Sequence, residues 1–261
     1  MFEKLPSLRG FQPKFYSGGP ARFHLPLFYD LVAAIKPKRV VVAGFGDGQA
    51  FFTFCQAAVE QRIDCECVAV RRDRPGESEA DDAAWRDGKS YGEEFYGGRA
   101  RFFSDHATAL AEIASGSVDV LLIDDSDSGK AIAQDLASWT PKLSAGAVVL
   151  LHGLGLERND SPATAWSNWV GKRTYASFDE GVGLAIAPGG DNQAGSFFLK
   201  HGGDLAVLYS VAARQIDATA RLSEAEKKSA AFETRQVWLD SLLTDRRKVQ
   251  VKGWALASVS P

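Results

Sequence analysis

Three polar side chains in this 261-residue sequence stand where two strongly apolar segments end. Asp124 and Asp125 close the run VDVLLIDD, and His152 follows AGAVVLL. Ligands of parallel α/β sheets bind at the carboxyl ends of strands, so both aspartates are candidates for cofactor binding, and Asp124 also for catalysis. Histidine has an ordinary pKa near neutrality, so His152 could take a proton from a hydroxyl group. The alternatives are a helix-capping role for Asp124 and a structural, backbone-bonded role for His152.

The segment Gly44-Phe45-Gly46-Asp47-Gly48 follows a β-branched run and precedes a helical pattern. Glycine lets the chain turn sharply between strand and helix and lets a ligand approach the backbone amides. These five residues are therefore predicted to bind a cofactor. In the dinucleotide fingerprint the third glycine falls one residue later, where this sequence has Gln49, so the spacing favours an adenosyl ligand over a dinucleotide.

A basic turn formed by Arg71, Arg72 and Arg74 follows the next apolar segment. Because acidic residues lie close by, a solvated surface turn is expected unless the ligand is phosphorylated. Residues 71–98 are polar and glycine-rich and are interpreted as an insertion over the site. Three of its aromatic residues could stack on a ligand or seal the insertion to the sheet; they are Tyr91, Phe95 and Tyr96.

The elements that must hold these residues alternate between apolar strands and amphipathic helices. Strand, glycine turn, helix and strand in succession form the βαβ unit that opens doubly wound folds. At least five strands are predicted, and the segments YASFDE and GVGLAIAP could pair as a closing hairpin. The predicted fold class is therefore α/β, a doubly wound, mostly parallel sheet with a C-terminal helical appendage.

Composition divides the chain into three predicted parts. Residues 1–24, rich in Gly, Pro and aromatic side chains, are predicted to be an arm or lid without regular structure. Residues 25–200 should form the α/β domain, and residues 201–261 the helical appendage. Apolar residues spaced along 204–249 indicate one long helix or a helix pair, which would pack on the sheet or join a second subunit in a homo-oligomer.

Charge and composition argue against several classes of protein. The net charge of -3 gives no general attraction to nucleic acid. No apolar run approaches membrane length, and the start MFEKLPSLRG lacks the apolar core of a signal peptide, so no membrane partner and a cytoplasmic location are expected. The cysteines fit neither a disulfide framework nor a zinc pattern; they are Cys55, Cys65 and Cys67.

From about His24 to Pro188 the sequence resembles the class I S-adenosylmethionine-dependent methyltransferases, in particular a bacterial group associated with glycan assembly. VVVAGFGDGQAFFTFCQAA is similar to the first cofactor motif of the family, and GSVDVLLIDDSDS to its fourth strand. The resemblance implies a Rossmann-like methyltransferase fold and S-adenosylmethionine as cofactor. It adds Arg71 to the cofactor contacts, since Arg71 stands where the family has a ribose-binding aspartate. His24 lies in the entry segment and is expected to be a packing residue.

Four polar positions differ from the pattern of that family. Ala43 stands before the first glycine, where an acidic residue is usual, and Arg71 replaces the ribose-binding aspartate. Asp127 replaces a histidine, and Gly153 replaces an aspartate after the fifth strand. A carboxylate accepts hydrogen bonds from both ribose hydroxyls, whereas arginine only donates, so weakened cofactor binding is expected. With the aspartate lost at Gly153, no bound metal is predicted.

Together these patterns predict an S-adenosylmethionine-dependent O-methyltransferase that acts on a small-molecule substrate, a sugar or small polar hydroxyl acceptor, with His152 and Asp124 as catalytic residues. The four changed positions support an alternative, a non-catalytic methyltransferase-like binding or assembly module in glycan biosynthesis. A third hypothesis is an NADP-dependent oxidoreductase in which Arg71 and Arg72 hold the 2′-phosphate. The glycine spacing and the lack of a Tyr-x-x-x-Lys pair argue against it.

Overall fold

A seven-stranded sheet forms the centre of the computed structural model, which describes residues 5–72, 79–124, 128–156, 161–189 and 195–244. The strands are β1 (Arg39–Ala43), β2 (Glu66–Val70), β3 (Ala100–Phe103), β4 (Val118–Ile123), β5 (Leu143–His152), β6 (Ala176–Phe178) and β7 (Leu184–Pro188). The helices are α1 (Leu25–Ile35), α2 (Gln49–Glu60), α3 (Glu79–Tyr96), α4 (His106–Glu112), α5 (Gly129–Trp139), α6 (Pro162–Val170), α7 (Ser196–Lys200) and α8 (Gly202–Thr244).

The strand order is β3-β2-β1-β4-β5-β7-β6. β1 pairs in parallel with β2 and β4, and β4 pairs in parallel with β5. β7 runs antiparallel to both of its neighbours, β5 and β6. The closing hairpin is therefore present, and the predicted doubly wound, mostly parallel α/β fold is confirmed.

Alternate residues of β1 feed two separate cores on the two faces of the sheet. Val40 and Val42 lie in a core with buried residues of α1 and α2, whereas Val41 and Ala43 lie in a core with buried residues of α5 and α6. A strand that is buried on both faces has a continuous apolar sequence, which explains the run VVVA. Both faces of the sheet are thus covered by apolar cores, and the candidate polar residues lie where the strands end.

Two short 3-10 helices, Pro6–Arg9 and Pro20–Phe23, lie in the N-terminal segment, where the sequence predicted no regular structure. Each begins at a proline, whose fixed φ suits a first helical position. The segment is tied down by Asp30 of α1, which is fully buried and accepts hydrogen bonds from Ser7 Oγ at 2.7 Å and from the Tyr209 hydroxyl of α8 at 3.1 Å. Burial nevertheless raises the pKa of Asp30 to about 6.

Residues 71–98, interpreted from sequence as an insertion, contain the 18-residue helix α3. Its glycines lie against aromatic rings. A Cβ atom at Gly88 would lie 2.5 Å from Phe45 Cζ, and one at Gly92 would lie 2.4 Å from Phe102 Cζ. The glycines that suggested a loop instead allow this helix to pack closely on the glycine segment and on β3.

The C-terminal region is helical as far as it is described, to residue 244, with α7 followed by the 43-residue α8. The chain forms two compact units, Met1–Asp217 and Ala218–Pro261. The domain limits at 24/25 and 200/201 stay predictions, as does a homo-oligomer formed through the C-terminal helix. Within the described ranges, no helix is long and apolar enough to cross a bilayer.

Candidate functional site

The carboxyl ends of β1, β4 and β5 lie side by side at one edge of the sheet. Ala43 pairs with Ile123, and Ile123 pairs with Leu151. Asp124 follows β4, and its backbone N–H donates to the carbonyl of Ala43 at 3.0 Å. His152 is the last residue of β5. The structure therefore brings the glycine segment, Asp124 and His152 to the same edge.

The glycine segment between β1 and α2 has a backbone that favours glycine. Gly44, Gly46 and Gly48 have φ angles of +104°, +55° and +80°, in the left-handed region that disfavours other residues. A Cβ atom at Gly48 would also lie 2.7 Å from Phe45 Cζ and 2.9 Å from Phe52 Cε2. The segment leads into the first turn of α2, where unpaired N–H groups suit a polar ligand.

The side chain of Phe45 belongs to an aromatic cluster beneath the glycine segment. It is 4% exposed, and its ring centroid lies 5.9 Å from those of Phe51 and Phe52 and 5.2 Å from that of Trp85. The ring anchors the segment to α2 and α3. Only the backbone of Phe45 is thus left for a cofactor contact.

Asp47 is engaged by the protein itself. Its carboxylate accepts hydrogen bonds from Ser17 Oγ at 2.7 Å and from the Gln49 backbone N–H at 3.0 Å. A Cβ atom at Gly19 would lie 1.6 Å from Asp47 Oδ2. Asp47 therefore fixes the start of α2 and holds residues 17–19 of the N-terminal segment directly on the glycine segment. Nothing in the sequence pattern indicated the contact from Ser17.

Asp124 and His152 form a buried hydrogen-bonded pair. His152 Nδ1 donates to Asp124 Oδ1 at 2.7 Å, and the two residues are only 6% and 9% exposed. A carboxylate in this position holds the imidazole ring in one orientation and stabilises its protonated form. Since Nδ1 faces Asp124, the lone pair of Nε2 is the one that can accept a proton.

His24 is a third member of this group that sequence reasoning assigned to packing. Its ring centroid lies 5.4 Å from that of His152, with the planes nearly perpendicular at 81°. The residue is 2% exposed, and its Nε2 atom is buried without a hydrogen-bond partner in the described structure. Burial, followed by the proximity of His152, lowers the pKa of His24 from 6.5 to about 3. His24 is therefore neutral at physiological pH.

Because His24 is buried as a neutral ring, we expect the free energy of unfolding to depend on pH. The unfolded chain binds a proton at His24 below pH 6.5, whereas the folded protein binds it only near pH 3, so stability is lost as the pH falls through this window. Between pH 7 and pH 5 the loss is about 2 kcal/mol. We expect His24→Phe to remove this loss, measured as free energies of urea unfolding at both values. Equal losses in the parent and the variant would show that His24 is not buried as a neutral ring.

Arg71 and Arg72, at the end of β2, bind carboxylates of the protein. Arg71 Nη1 donates to Asp82 Oδ1 of α3 at 2.9 Å, and Arg72 donates to Asp135 of α5. The expected solvated turn is thus wrong for these two residues, whose side chains are 19% and 11% exposed. Neither partner was found from sequence, because no local spacing links residues on separate elements. A cofactor contact of Arg71 stays a prediction.

The remaining sequence predictions concern three residues that the structure does not describe, the aromatic residue Tyr91 and a bound metal. Asp125, Asp127 and Arg74 lie outside the described residues. The ring of Tyr91 lies 4.9 Å from Phe52, so it seals α3 to α2. Within the described part of the chain, no group of three or more His, Cys, Asp or Glu side chains could hold a metal ion. The lack of a bound metal stays a prediction.

Comparisons with known proteins agree with this geometry. Residues 41–154 match a family model described as a methyltransferase domain, and the match runs from β1 past His152. An uncharacterized protein of Sinorhizobium fredii is 30% identical over 174 residues, which are 61% of this chain and 18% of that protein. The chain therefore spans less than a fifth of the length of that curated relative.

A similar fold is present in a solved structure. A crystal structure of a protein from Corynebacterium glutamicum has a TM-score of 0.52 and 13% sequence identity, over 73% of this chain and 91% of that one. An S-adenosylhomocysteine-bound methyltransferase from Podospora anserina has a TM-score of 0.48 and 17% identity, over 72% of this chain and 87% of that one. At 13% identity, the similarity to the Corynebacterium glutamicum protein concerns the fold alone.

Proposed function

Because residues 41–154 match a family model described as a methyltransferase domain, we propose that this chain is an S-adenosylmethionine-dependent O-methyltransferase. Its acceptor is a hydroxyl group of a sugar or another small polar molecule. The observation that carries the proposal is the buried hydrogen bond between His152 and Asp124, at the sheet edge where the glycine segment begins. An oriented imidazole beside a cofactor segment is what deprotonation of a hydroxyl requires.

The glycine segment fits an adenosyl cofactor. Three of its residues are glycines with positive φ angles: Gly44, Gly46 and Gly48. Because glycine has no side chain, the backbone between β1 and α2 is open to a ligand at these positions. These residues, the backbone of Phe45 and the carboxyl edge at Asp124 would hold the cofactor. When bound, S-adenosylmethionine supplies an electrophilic methyl group. At the end of β2, Arg71 and Asp82 form an ion pair, and these two residues would contact the ribose.

In the proposed reaction His152 and Asp124 have different roles. His152 Nε2 accepts the proton of the acceptor hydroxyl, and the oxygen that loses it becomes the nucleophile for the methyl group. Asp124 keeps Nδ1 protonated and stabilises the imidazolium that forms. Alignment of the two reacting groups supplies much of the rate, because it removes the entropic cost of their encounter. The mechanism needs no covalent intermediate on the protein.

One observation favours a second candidate, a non-catalytic binding or assembly module. Arg71 stands where a ribose-binding carboxylate is expected, and it is in an ion pair with Asp82. If this pair closes the adenosine side, the chain would keep the fold without turnover. An NADP-dependent oxidoreductase is disfavoured, because the two arginines that a 2′-phosphate needs bind Asp82 and Asp135.

Calorimetric titration of the full chain with S-adenosylmethionine, S-adenosylhomocysteine and NADPH separates these functions. We expect both adenosyl ligands to bind and NADPH not to bind. The second step is an assay for S-adenosylhomocysteine formation with a panel of simple glycosides. Cofactor binding without turnover on a broad panel favours the non-catalytic module, and binding of NADPH alone would overturn the methyltransferase proposal.

A further inference from the structure

A cavity of about 420 Å³ opens beside His24, whose ring contacts that of His152. Its walls come from the end of the N-terminal segment, from β6 and the turn after it, and from the first turns of α8. Phe178 of β6 pairs with Leu184, which pairs with His152. The cavity therefore lies at the same carboxyl edge as the candidate catalytic pair.

The chemistry of the cavity wall is that of an uncharged, hydroxyl-rich ligand. Asp179 and Glu180 line it, and none of its lining residues is lysine or arginine. Glu180 is held in place by Ser210 Oγ at 2.9 Å and by Arg214 Nη2 at 2.8 Å. Carboxylates accept hydrogen bonds from hydroxyl groups and repel anions. Phe23 and Phe178 add apolar surface that suits the carbon face of a sugar ring.

His24 connects this cavity with the catalytic pair. The residue lines the cavity, and its ring contacts that of His152. His24 Nε2 is buried without a hydrogen-bond partner in the described structure. A buried polar atom without a partner costs stability, and a ligand hydroxyl, which can both donate and accept, would satisfy it in either tautomer of the ring.

We propose that this cavity binds the methyl acceptor, an uncharged polyhydroxylated molecule that forms a hydrogen bond through one hydroxyl group with His24 Nε2. The inference rests on the proposed O-methyltransferase function and narrows its substrate class. A glycoside fits the wall, whereas a sugar phosphate or a nucleotide-linked sugar meets the carboxylates of Asp179 and Glu180, of which, among the described residues, only Glu180 is offset by an arginine, Arg214. His24 is a binding residue in this arrangement, and His152 remains the base.

Saturation-transfer NMR of the full chain with methyl glycosides and the matching sugar 1-phosphates tests the ligand class. We expect at least one methyl glycoside to bind, and its 1-phosphate counterpart to bind at least about tenfold more weakly. S-Adenosylhomocysteine is titrated in parallel. If it fails to bind, the proposed function fails. If it binds while the phosphates bind better, or while no glycoside binds at millimolar concentration, the inference about the acceptor is wrong.

Two variants locate the binding site. Val207 of α8 lines the cavity and is 65% exposed, so Val207→Arg fills the cavity without disturbing the core. We expect it to weaken glycoside binding at least about tenfold. The matched control is Val59→Arg, at an exposed valine of α2 away from the cavity. His24→Phe keeps a ring but removes Nε2, and should weaken binding about three- to tenfold. Equal glycoside affinity in the parent and Val207→Arg would overturn the proposed site.

Discussion

Replacement of His152 by glutamine is expected to lower the rate of methyl transfer by a factor of about 10²–10⁴ and to leave the affinity for S-adenosylhomocysteine within about twofold of the parent value. Glutamine keeps a polar side chain of similar length beside Asp124, but it has no group that can take a proton near neutrality. Turnover is measured with a glycoside acceptor identified by the binding panel, and affinity by calorimetry. A split between rate and affinity is the signature of a base, whereas a structural histidine changes both together.

Asp124→Asn probes the other half of the pair. The amide no longer carries the charge that stabilises the imidazolium, so the rate should again fall by about two orders of magnitude or more. Because the two residues act as a unit, the double variant should be little slower than the slower single variant. His201→Gln is the control, since His201 follows α7 and packs on Phe197. Additive losses in the double variant would show that the hydrogen bond between His152 and Asp124 plays no part in proton transfer.

The second large effect is expected at the glycine segment. Gly48→Val places a β-branched residue at φ +80°, with its Cβ within 3 Å of the Phe45 and Phe52 rings. The strain and the overlap together amount to about 2 kcal/mol or more, so the segment should move and S-adenosylhomocysteine should bind at least about thirtyfold more weakly. Calorimetry measures the affinity, and thermal unfolding verifies that the variant is folded.

Gly116 offers a matched control for the backbone strain. It has φ +69°, and a Cβ atom there would meet nothing within 4 Å. Gly116→Val therefore carries a similar conformational cost at a distance from the site. We expect it to lose stability but to bind the cofactor normally. If Gly48→Val also bound the cofactor normally, the glycine segment would not be the cofactor site.

The sequence predicted the sheet edge well because neighbouring strands of a parallel sheet end together. The apolar runs before Gly44, Asp124 and His152 each specify a buried strand, and their pairing then places the three ends at one edge. The closing hairpin was recognised for a similar local reason, since two short apolar segments flank a turn that contains glycine.

Contacts between elements that are distant in sequence could not be predicted in this way. His24 precedes α1, and its approach to His152 depends on how the N-terminal segment crosses the sheet. The bond from Arg71 to Asp82 depends on the position of α3. The glycines and acidic residues of α3 are typical of a loop, and only the structure shows that its glycines pack against aromatic rings. Helix α6 was also missed, although Pro162 marks its first turn.

The reversed strand β7 has a consequence for how such a protein can diversify. Through β7 and β4, the end of β5 is hydrogen-bonded on both sides, so the position of His152 is set by backbone pairing in the middle of the sheet. The cavity walls, in contrast, come from peripheral elements, the N-terminal segment, β6 and α8. Substitutions in these peripheral elements can therefore change the cavity without altering the backbone pairing that positions His152.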